Sequence, residues 1–277
     1  MARVRQAIRS RLDRPGGRLL LGAVASLWYS ARRRRPCLVR WQDGAWVHRY
    51  RGAAIPHRRL GEGVHFSAFT AEARDIFLYE YEPRQGDVVF DVGAGIGAET
   101  FLFSRLVGRS GRVVSLEPHP ETHAWLSRLC RLNGLTNVVP LQVAAADADG
   151  QLSISDIDDH VTNTVLGANG EGIPVRARRL DDIAMELGIT SIDFLKMNIE
   201  GAEREALLGT GQLLAATRHV CIACHDFLAE RGGPERMRTK AFVSDLLLDH
   251  GFSLTSRDDA PDPWTRDYIY GTNSRLT

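Results

Sequence analysis

Residues 88–97 constrain the fold of this chain more than any other segment. They read VVFDVGAGIG: a short apolar run, an acid at Asp91, and glycines at three alternate positions. Residues 102–107 then place apolar side chains at helical spacing, and Gly108 closes that pattern. Since an apolar run suits a strand buried on both faces of a parallel sheet, the segment predicts a strand, a tight turn and a helix.

The turn between this strand and helix has the composition of a nucleotide-binding loop. Its members are Gly93, Ala94, Gly95 and Gly97. Glycine lacks a Cβ, so the backbone turns sharply and a ligand can lie against it. The N-terminus of the following helix offers free N–H groups and a partial positive charge. On these residues alone, a nucleotide site at the end of a strand and an ordinary turn both stay open.

Two features favour a nucleotide-binding loop over an ordinary turn, and the first of them also differs from the loop of NAD-dependent dehydrogenases. Position 98, where the third glycine of G-x-G-x-x-G would fall, is Ala98. A second apolar run, 113–116, ends in Glu117, whose carboxylate can accept hydrogen bonds from both hydroxyls of a ribose. Together these features resemble class I S-adenosylmethionine-dependent methyltransferases. An NAD-dependent oxidoreductase on a Rossmann sheet stays as the alternative.

The segments after Glu117 supply further candidates for a cofactor site. Pro118 and His119 lead into a predicted helix, and His119 either contacts the cofactor or caps that helix. A third strand, predicted over 138–143, leads to Ala145 and Asp147. Small side chains there leave room for a flat base, while Asp147 either binds the exocyclic amine of adenine or completes a turn.

The second informative segment, 192–203, reads IDFLKMNIEGAE. It predicts a fourth strand over 194–197, which contains Lys196. Asn198 and Glu200 follow at the carboxyl end of this strand, beside the central strand of a doubly wound sheet, where a methyl donor and its acceptor should meet.

His225 and Glu99 complete the candidate site. His225 follows the apolar run 220–224 and projects at the same sheet edge. An ordinary imidazole pKa of about 6.5 suits a base near neutral pH, but the ring alternatively caps the strand end. Glu99, near the start of the first helix of the domain, can bond the loop or the methionine ammonium. The predicted catalytic residues are His225, Asn198, Glu200 and Lys196. The predicted cofactor-binding residues are Asp91, Gly93, Ala94, Gly95, Gly97, Glu99, Glu117, Pro118, His119, Ala145, Asp147 and Asn198.

Five motifs occur in the order found in the FkbM family of methyltransferases, which this chain resembles over roughly residues 85–255. They are Asp91-x-Gly-Ala-Gly-x-Gly, Glu117-Pro-His-Pro, Ala145-Ala-Asp147 with Gly150, Leu180-Asp-Asp-Ile183 and Asp193-Phe-Leu-Lys196-x-Asn198-x-Glu200-Gly-Ala-Glu203. The resemblance implies a class I fold, S-adenosylmethionine as cofactor, and O-methylation of a sugar or natural product.

One position departs from the family pattern. The family usually has an aspartate where this chain has Asn198. An amide does not usefully accept a proton, so either the base lies elsewhere or this residue only positions a ligand. The same departure leaves open a non-catalytic homologue that binds cofactor and acts through a partner.

The expected architecture is α/β: a doubly wound, mostly parallel, seven-stranded, Rossmann-like sheet with a basic N-terminal extension. Residues 1–60 are predicted as an arginine-rich extension or cap, and residues 61–277 as the catalytic domain. A helix to His250 and strands over 252–255 and 267–270 fit the antiparallel end of such a sheet.

The N-terminal extension carries most of the positive charge. Residues 1–60 contain 15 arginines and two acids, giving +13, while the remainder carries −12. Its apolar run, 19–29, is shorter than the roughly 20 residues that span a bilayer. A helix packed on the domain or frayed, a contact with a membrane surface or an acidic partner, and a secretion signal all fit. A cytosolic cofactor favours a cytoplasmic location. A peripheral contact between the extension and the membrane is compatible with that location. Nucleic-acid binding is not expected, because no interleaved aromatics or known module accompany the charge.

Neither the cysteines nor the acidic residues predict a metal site. Four cysteines in a chain of 277 residues do not form a disulfide framework. Cys221 and Cys224 lie on an apolar run and are predicted as buried side chains. The polar loop 156–169, with His160, reads either as a metal site or as a solvated loop, and its spacing matches no known site.

Overall fold

The chain forms two compact units in this computed structural model. The structure describes residues 14–60, 66–155, 165–167 and 172–276. One unit comprises Met1–Phe69 with Arg131–Gly134, and the other comprises Thr70–Cys130 with Leu135–Thr277. His160 and the acids beside it lie outside the described residues.

The first unit packs one helix on a small antiparallel sheet. Its elements are α1 (Pro15–Arg33), β1 (Leu38–Gln42), β2 (Ala45–Tyr50) and β3 (Ala53–His57), with strand order β1-β2-β3. Strands β1 and β2 form a hairpin, and its two-residue turn consists of Asp43 and Gly44 with φ of 51° and 78°. Positive φ at both positions gives the turn a twist that matches that of the strands. No helix among the described residues combines the length and apolar character needed to cross a membrane.

Seven strands form the main sheet of the second unit. In spatial order they are β6 (Val138–Leu141), β5 (Arg112–Leu116), β4 (Val88–Val92), β11 (Ile192–Met197), β12 (Thr217–Ala223), β14 (Tyr268–Asn273) and β13 (Phe252–Ser256). The first five run parallel, and β14 is antiparallel to both of its neighbours. This confirms the predicted doubly wound, mostly parallel sheet. Apolar side chains from its central strands fill the core, as the continuous apolar runs predict.

Short helices connect these strands. Beyond α1 the described helices are α2 (Phe66–Ile76), α3 (Ala98–Val107), α4 (Pro120–Asn133), α5 (Leu180–Glu186), α6 (Glu203–Leu208), α7 (Gly211–Ala215), α8 (Asp226–Glu230), α9 (Lys240–Asp249) and α10 (Pro263–Arg266), with a 3-10 turn at Glu235–Met237. All four cysteines are buried and free, so the prediction for Cys221 and Cys224 is confirmed.

A second, four-stranded sheet accounts for one difference from the sequence prediction. Its strands, in the order β7-β10-β8-β9, are β7 (Ala144–Ala145), β10 (Ile173–Arg178), β8 (Gly150–Ile154) and β9 (Val165–Gly167). The strand predicted over 138–143 ends at Leu141, because the backbone of Ala144–Ala145 pairs instead with β10. Pro140 is tolerated in β6 because this strand lies at the sheet edge.

Candidate functional site

The candidate site lies where the strand order of the main sheet reverses. Strand β4 has β5 on one side and β11 on the other, so connections diverge from this point. The glycine loop, residues 93–97, follows β4, and residues 198–200 follow β11. Open parallel sheets bind ligands in the crevice beyond the carboxyl ends of such strands, and both informative sequence segments meet there.

The three glycines of the loop serve different steric purposes. All three have positive φ: 77° at Gly93, 54° at Gly95 and 95° at Gly97. A Cβ on Gly93 would overlap the carbonyl oxygen of Asn198, and one on Gly97 would lie 2.7 Å from Leu126 Cδ1. Among the residues that the structure describes, a Cβ on Gly95 would meet nothing within 4 Å. The outer glycines therefore allow close packing, whereas the backbone at Gly95 faces open space.

A buried ion pair joins the loop to both central strands. Lys196 Nζ lies 2.9 Å from Asp91 Oδ1, and their side chains are 1% and 0% exposed. Lys196 also donates a hydrogen bond to the Gly93 carbonyl over 2.7 Å, and Thr100 Oγ1 donates to Asp91 Oδ2 over 2.6 Å. The structure thus places Asp91 and Lys196 beneath the loop, where they hold its backbone.

Lys196 is stabilised in its charged form. Burial alone disfavours its charge, but the carboxylates of Asp91 and Glu99 outweigh that effect, so the pKa of Lys196 is raised above its ordinary value. Glu99 lies half-buried in the first turn of α3. A lysine with a raised pKa, already paired, is poorly suited to accept a proton.

Glu117 connects the second strand to the glycine loop. Its Oε2 accepts a hydrogen bond from the Gly95 N–H over 3.0 Å, and its Oε1 accepts one from the His119 N–H over 2.9 Å. Burial raises the pKa of Glu117 despite these two bonds, which favour the carboxylate. Since each carboxylate oxygen has two lone pairs, Glu117 retains acceptor capacity beside the loop.

The neighbours of Glu117 have mainly local contacts. Pro118 is half-buried and His119 is buried. His119 Nδ1 lies 3.2 Å from Thr122 Oγ1 and accepts the Thr122 N–H at 3.4 Å. These contacts are those expected of the capping alternative for His119.

Ala145 and Asp147 occupy different environments. Ala145 is buried in the main core, whereas the side chain of Asp147 is exposed and its carbonyl accepts a 2.8 Å bond from Arg179 Nη1. The contact of Asp147 is therefore through its backbone, and its carboxylate faces solvent.

Asn198 and Glu200 form the opposite wall of the crevice. The N–H of Asn198 donates to the Val92 carbonyl over 3.0 Å, which extends the pairing of β11 with β4. Within the part of the chain that the structure describes, Asn198 Oδ1 is buried and has no hydrogen-bond partner. Glu200 adopts a positive φ of 52°, a conformation that non-glycine residues rarely adopt and that is common at functional sites.

His225 is held between two glutamates. Its Nε2 lies 3.3 Å from Glu200 Oε1 and its Nδ1 lies 3.0 Å from Glu203 Oε1. Burial disfavours the imidazolium, but the bonds to Glu200 and Glu203 outweigh it and raise the pKa of His225 to about 10. The expectation of an ordinary pKa near 6.5 is wrong, because two carboxylates hold the proton on the ring. At neutral pH His225 is a cation, and Glu200, 19% exposed, is the accessible member of the group.

The sequence analysis did not select Glu203 as a site residue, although it lies in the quoted motif. Its side chain is fully buried, and it accepts hydrogen bonds from the Gly201 N–H (3.0 Å) and from Thr239 Oγ1 (2.9 Å). The signal was a glutamate two residues after Gly201, at the first position of α6. Its partner Thr239 carries no comparable signal.

Two aromatic residues beside the site were also missed. The rings of Phe77 and Tyr268 lie 5.7 Å apart, and Lys196 Nζ lies 5.0 Å from the Phe77 ring centroid. Burial raises the pKa of Tyr268, with smaller contributions from nearby groups that include Glu99 and Glu200. The phenol therefore stays neutral and lies within electrostatic range of both sides of the crevice. Among the described residues, no group of three or more His, Cys, Asp and Glu side chains is arranged to hold a metal ion.

Sequence comparison relates the chain to known methyltransferases. The model of the methyltransferase FkbM domain matches residues 91–254. The 31-O-demethyl-FK506 methyltransferase FkbM of Streptomyces tacrolimicus is 28% identical, over 75% of this chain and 88% of that protein. The 2-O-methyltransferase NoeI of Sinorhizobium fredii is 27% identical, over 59% of this chain and 73% of that protein. The AMB antimetabolite synthetase AmbE of Pseudomonas aeruginosa is 27% identical over 79% of this chain, which spans only 12% of AmbE.

Structural comparison agrees on the fold. The crystal structure of methyltransferase FkbM from Methylobacillus flagellatus matches with a TM-score of 0.50 and 15% identity, over 76% of this chain and 55% of that one. Because the family model covers more than half of the 277 residues and includes both walls of the crevice, the chain belongs to the FkbM family of methyltransferases.

Proposed function

We propose that this chain, an S-adenosylmethionine-dependent methyltransferase, transfers the methyl group to a hydroxyl oxygen of a sugar or natural product. The observation that carries the proposal is the Glu200–His225–Glu203 group, which presents the Glu200 carboxyl group after the end of β11, beside the glycine loop. The names of two relatives, an O-demethyl-FK506 methyltransferase and a 2-O-methyltransferase, support oxygen as the acceptor atom. The family membership speaks against the alternative of an NAD-dependent oxidoreductase.

The residues at the ends of β4 and β5 fit the cofactor. The backbone at Gly95 faces open space, so a ligand can lie against it, and Glu117 beside it can accept hydrogen bonds from ribose hydroxyls. Asp91 and Lys196 act from beneath by fixing the loop through the Gly93 carbonyl. Bound S-adenosylmethionine supplies a methyl group already activated on a sulfonium.

The chain itself has to place the acceptor and receive a proton. As the acceptor oxygen bonds to the methyl carbon and the carbon–sulfur bond breaks, the hydroxyl proton passes to the Glu200 carboxylate. His225, charged at neutral pH, orients Glu200 through its Nε2 and is a positioning residue. The unpartnered Asn198 Oδ1 is available to accept a hydrogen bond from the acceptor. The base is then Glu200, and the amide at position 198 positions the ligand.

The test of this assignment is methyl transfer from methyl-labelled S-adenosylmethionine to 31-O-demethyl-FK506 and to hexose and deoxyhexose glycosides. We expect label in a methyl ether of the acceptor, whereas label on nitrogen or carbon contradicts the proposal. Glu200→Gln should lower kcat by about 10²–10⁴-fold, the contribution typical of a general base, with unchanged affinity for S-adenosylhomocysteine. Glu230→Gln, an exposed glutamate in α8, is the matched control and should retain activity.

The pH profile separates the two possible bases. If Glu200 takes the proton, the rate should show no step at the ordinary histidine pKa near 6.5, because the pKa of His225 is raised to about 10. A step near 6.5 that disappears in His225→Gln would show instead that a neutral imidazole is the base.

We also propose a cytoplasmic location, since the cofactor is cytosolic, with residues 1–60 as an extension that takes no part in the chemistry. The Asp, Asn and Glu residues named above all follow position 60. Removal of the extension is therefore expected to alter where the enzyme acts rather than which bond it forms.

A further inference from the structure

Helix α1 presents an apolar surface to solvent. We define its outer face as the residues Leu19, Leu20, Ala23, Val24, Leu27, Trp28 and Ala31, all of them exposed. The five large side chains among them expose between 53% and 83% of their surface. A surface helix ordinarily carries polar residues on this side, and a contiguous exposed apolar patch marks an interaction surface.

The opposite face of α1 is fixed against β1, so the helix cannot rotate to bury the outer face. A Cβ on Gly22 would lie 2.7 Å from the Val39 carbonyl oxygen, which shows how closely helix and strand approach. Ser26 Oγ accepts the Val39 N–H over 2.8 Å, and Ser30 Oγ accepts the Cys37 N–H over 2.9 Å. Both serines between positions 19 and 31 are therefore used on the inner face, and the outer face consists of aliphatic side chains and Trp28.

In the part of the chain that the structure describes, the charges that flank this face along the sequence have one sign. Arg14 and Arg18 lie at its N-terminal end, and arginines 32–35 lie at its C-terminal end. Asp43 is the first acid after position 14. Arg18 stacks on Trp41 at 3.7 Å, and Arg32 lies 5.4 Å from the Trp28 ring centroid. An apolar strip with cations at both ends fits the boundary of a bilayer, where an apolar interior lies beneath anionic headgroups.

A second copy of the chain fits this face less well. Because both ends of α1 are basic, parallel and antiparallel pairing of two such helices would each bring arginines against arginines. A bilayer of anionic phospholipid accepts the apolar strip and the arginines together, since arginine can extend its charged end to the headgroups. The tryptophan at the strip edge suits the same boundary.

We propose that the outer face of α1 lies in the headgroup region of a membrane rich in anionic phospholipid and holds the enzyme at that surface. The helix, 19 residues long, lies in the plane of the interface rather than across it. This inference is independent of the proposed acceptor and of the assignment of the base.

The experiment is co-sedimentation of the full chain with phosphatidylcholine vesicles, with and without phosphatidylglycerol. We expect binding to the anionic vesicles that exceeds binding to the neutral ones by about tenfold or more, because arginines near an anionic surface are attracted to it. Added salt should weaken the binding, because it screens that attraction. Leu20→Asp with Leu27→Asp should abolish binding. The matched control is Met185→Asp with Leu248→Asp, which places two charges at exposed apolar positions of the second unit and should leave binding unchanged.

Three results would overturn the proposal: no binding to either vesicle, equal loss of binding in both double variants, or binding that persists in Leu20→Asp with Leu27→Asp. A dimer in light scattering that the α1 variant alone converts to a monomer would assign the face to a second copy. Because the substituted side chains point away from β1, the thermal unfolding of the variants should match that of the parent, which distinguishes a lost surface from a lost fold.

Discussion

The Asp91–Lys196 pair places two opposite charges side by side in the interior of the second unit. Both residues are cross-strand neighbours in the register of β4 with β11, and Lys196 reaches the Gly93 carbonyl from there. A buried pair of this kind contributes little net stability over an apolar pair, but removal of one partner leaves an uncompensated charge. We therefore regard the pair as a device that fixes the loop.

Lys196→Met should lower the free energy of unfolding by about 3–5 kcal/mol, because Asp91 is left buried without its cation. Denaturant unfolding measures this loss. Lys240→Met, at the only other lysine, is the control. Lys240 is half-buried, and its Nζ lies 3.5 Å from the exposed Asp258 and donates a hydrogen bond to the Arg266 carbonyl over 2.7 Å. Because both contacts lie near the surface, its loss should cost about 1 kcal/mol. Asp91→Leu combined with Lys196→Met should recover part of the lost stability. A Lys196→Met protein as stable as the Lys240→Met protein would contradict the role of the pair.

At this scale the sequence identified the polar residues but not their partners. Asp91, Glu117, Lys196, Glu200 and His225 all lie at the site because each follows or ends an apolar run, a local signal. Which atoms they contact depends on the register of parallel strands and on α6. Because neither is determined by neighbouring residues in the sequence, the charged state of His225 could not be predicted from the sequence.

The glycine loop, as an element, combines packing with an open backbone. Gly97 ends the loop, and its N–H donates to the Ala94 carbonyl while its own carbonyl accepts from Phe101 N–H. Its close approach to Leu126 sets the distance between α3 and α4. A Cβ added at Gly95 would have no neighbour within 4 Å in the described part of the chain.

The same substitution should therefore act differently at the two positions. Gly97→Ala should cost about 1–3 kcal/mol of stability, since it adds overpacking to backbone strain. Gly95→Ala should cost about 1 kcal/mol, the strain of a left-handed alanine, and should mainly weaken S-adenosylhomocysteine binding. Unfolding and calorimetric titration of both variants measure the two effects. Equal losses of stability with unchanged binding would contradict the division of roles within the loop.

Element prediction succeeded where one segment carries its own pattern. The strands β4, β5 and β11 were predicted from their apolar runs, and the structure has all three. The end of β6 was not predicted correctly, because Ala144–Ala145 pairs with β10 in a different sheet, about 30 residues further along the chain. A helix over residues 19–29 was one of the interpretations that the sequence allowed. Which side of it faces solvent could not be predicted, because that depends on hydrogen bonds to the segment 37–39 at the start of β1.

At the scale of the second unit, the reversal of strand order at β4 is what assembles the site. It brings the loop after β4, the acid after β5 and the charged group after β11 to one edge of the sheet. The order of motifs along the chain indicated this arrangement, and the main sheet confirms the predicted topology. The central claim that follows is that the cofactor binds at this edge.

Isothermal titration with S-adenosylhomocysteine tests that claim most directly, with NADH as the comparison ligand. We predict saturable binding to the parent chain and no binding of NADH. The affinity should fall by about 100-fold or more in Glu117→Ala, since two hydrogen bonds to a charged group contribute about 1.5–3 kcal/mol each and about 1.4 kcal/mol corresponds to tenfold. Glu121→Ala, an exposed glutamate at the start of α4, should bind like the parent. No binding of S-adenosylhomocysteine, or binding that is unchanged in Glu117→Ala, would contradict the site.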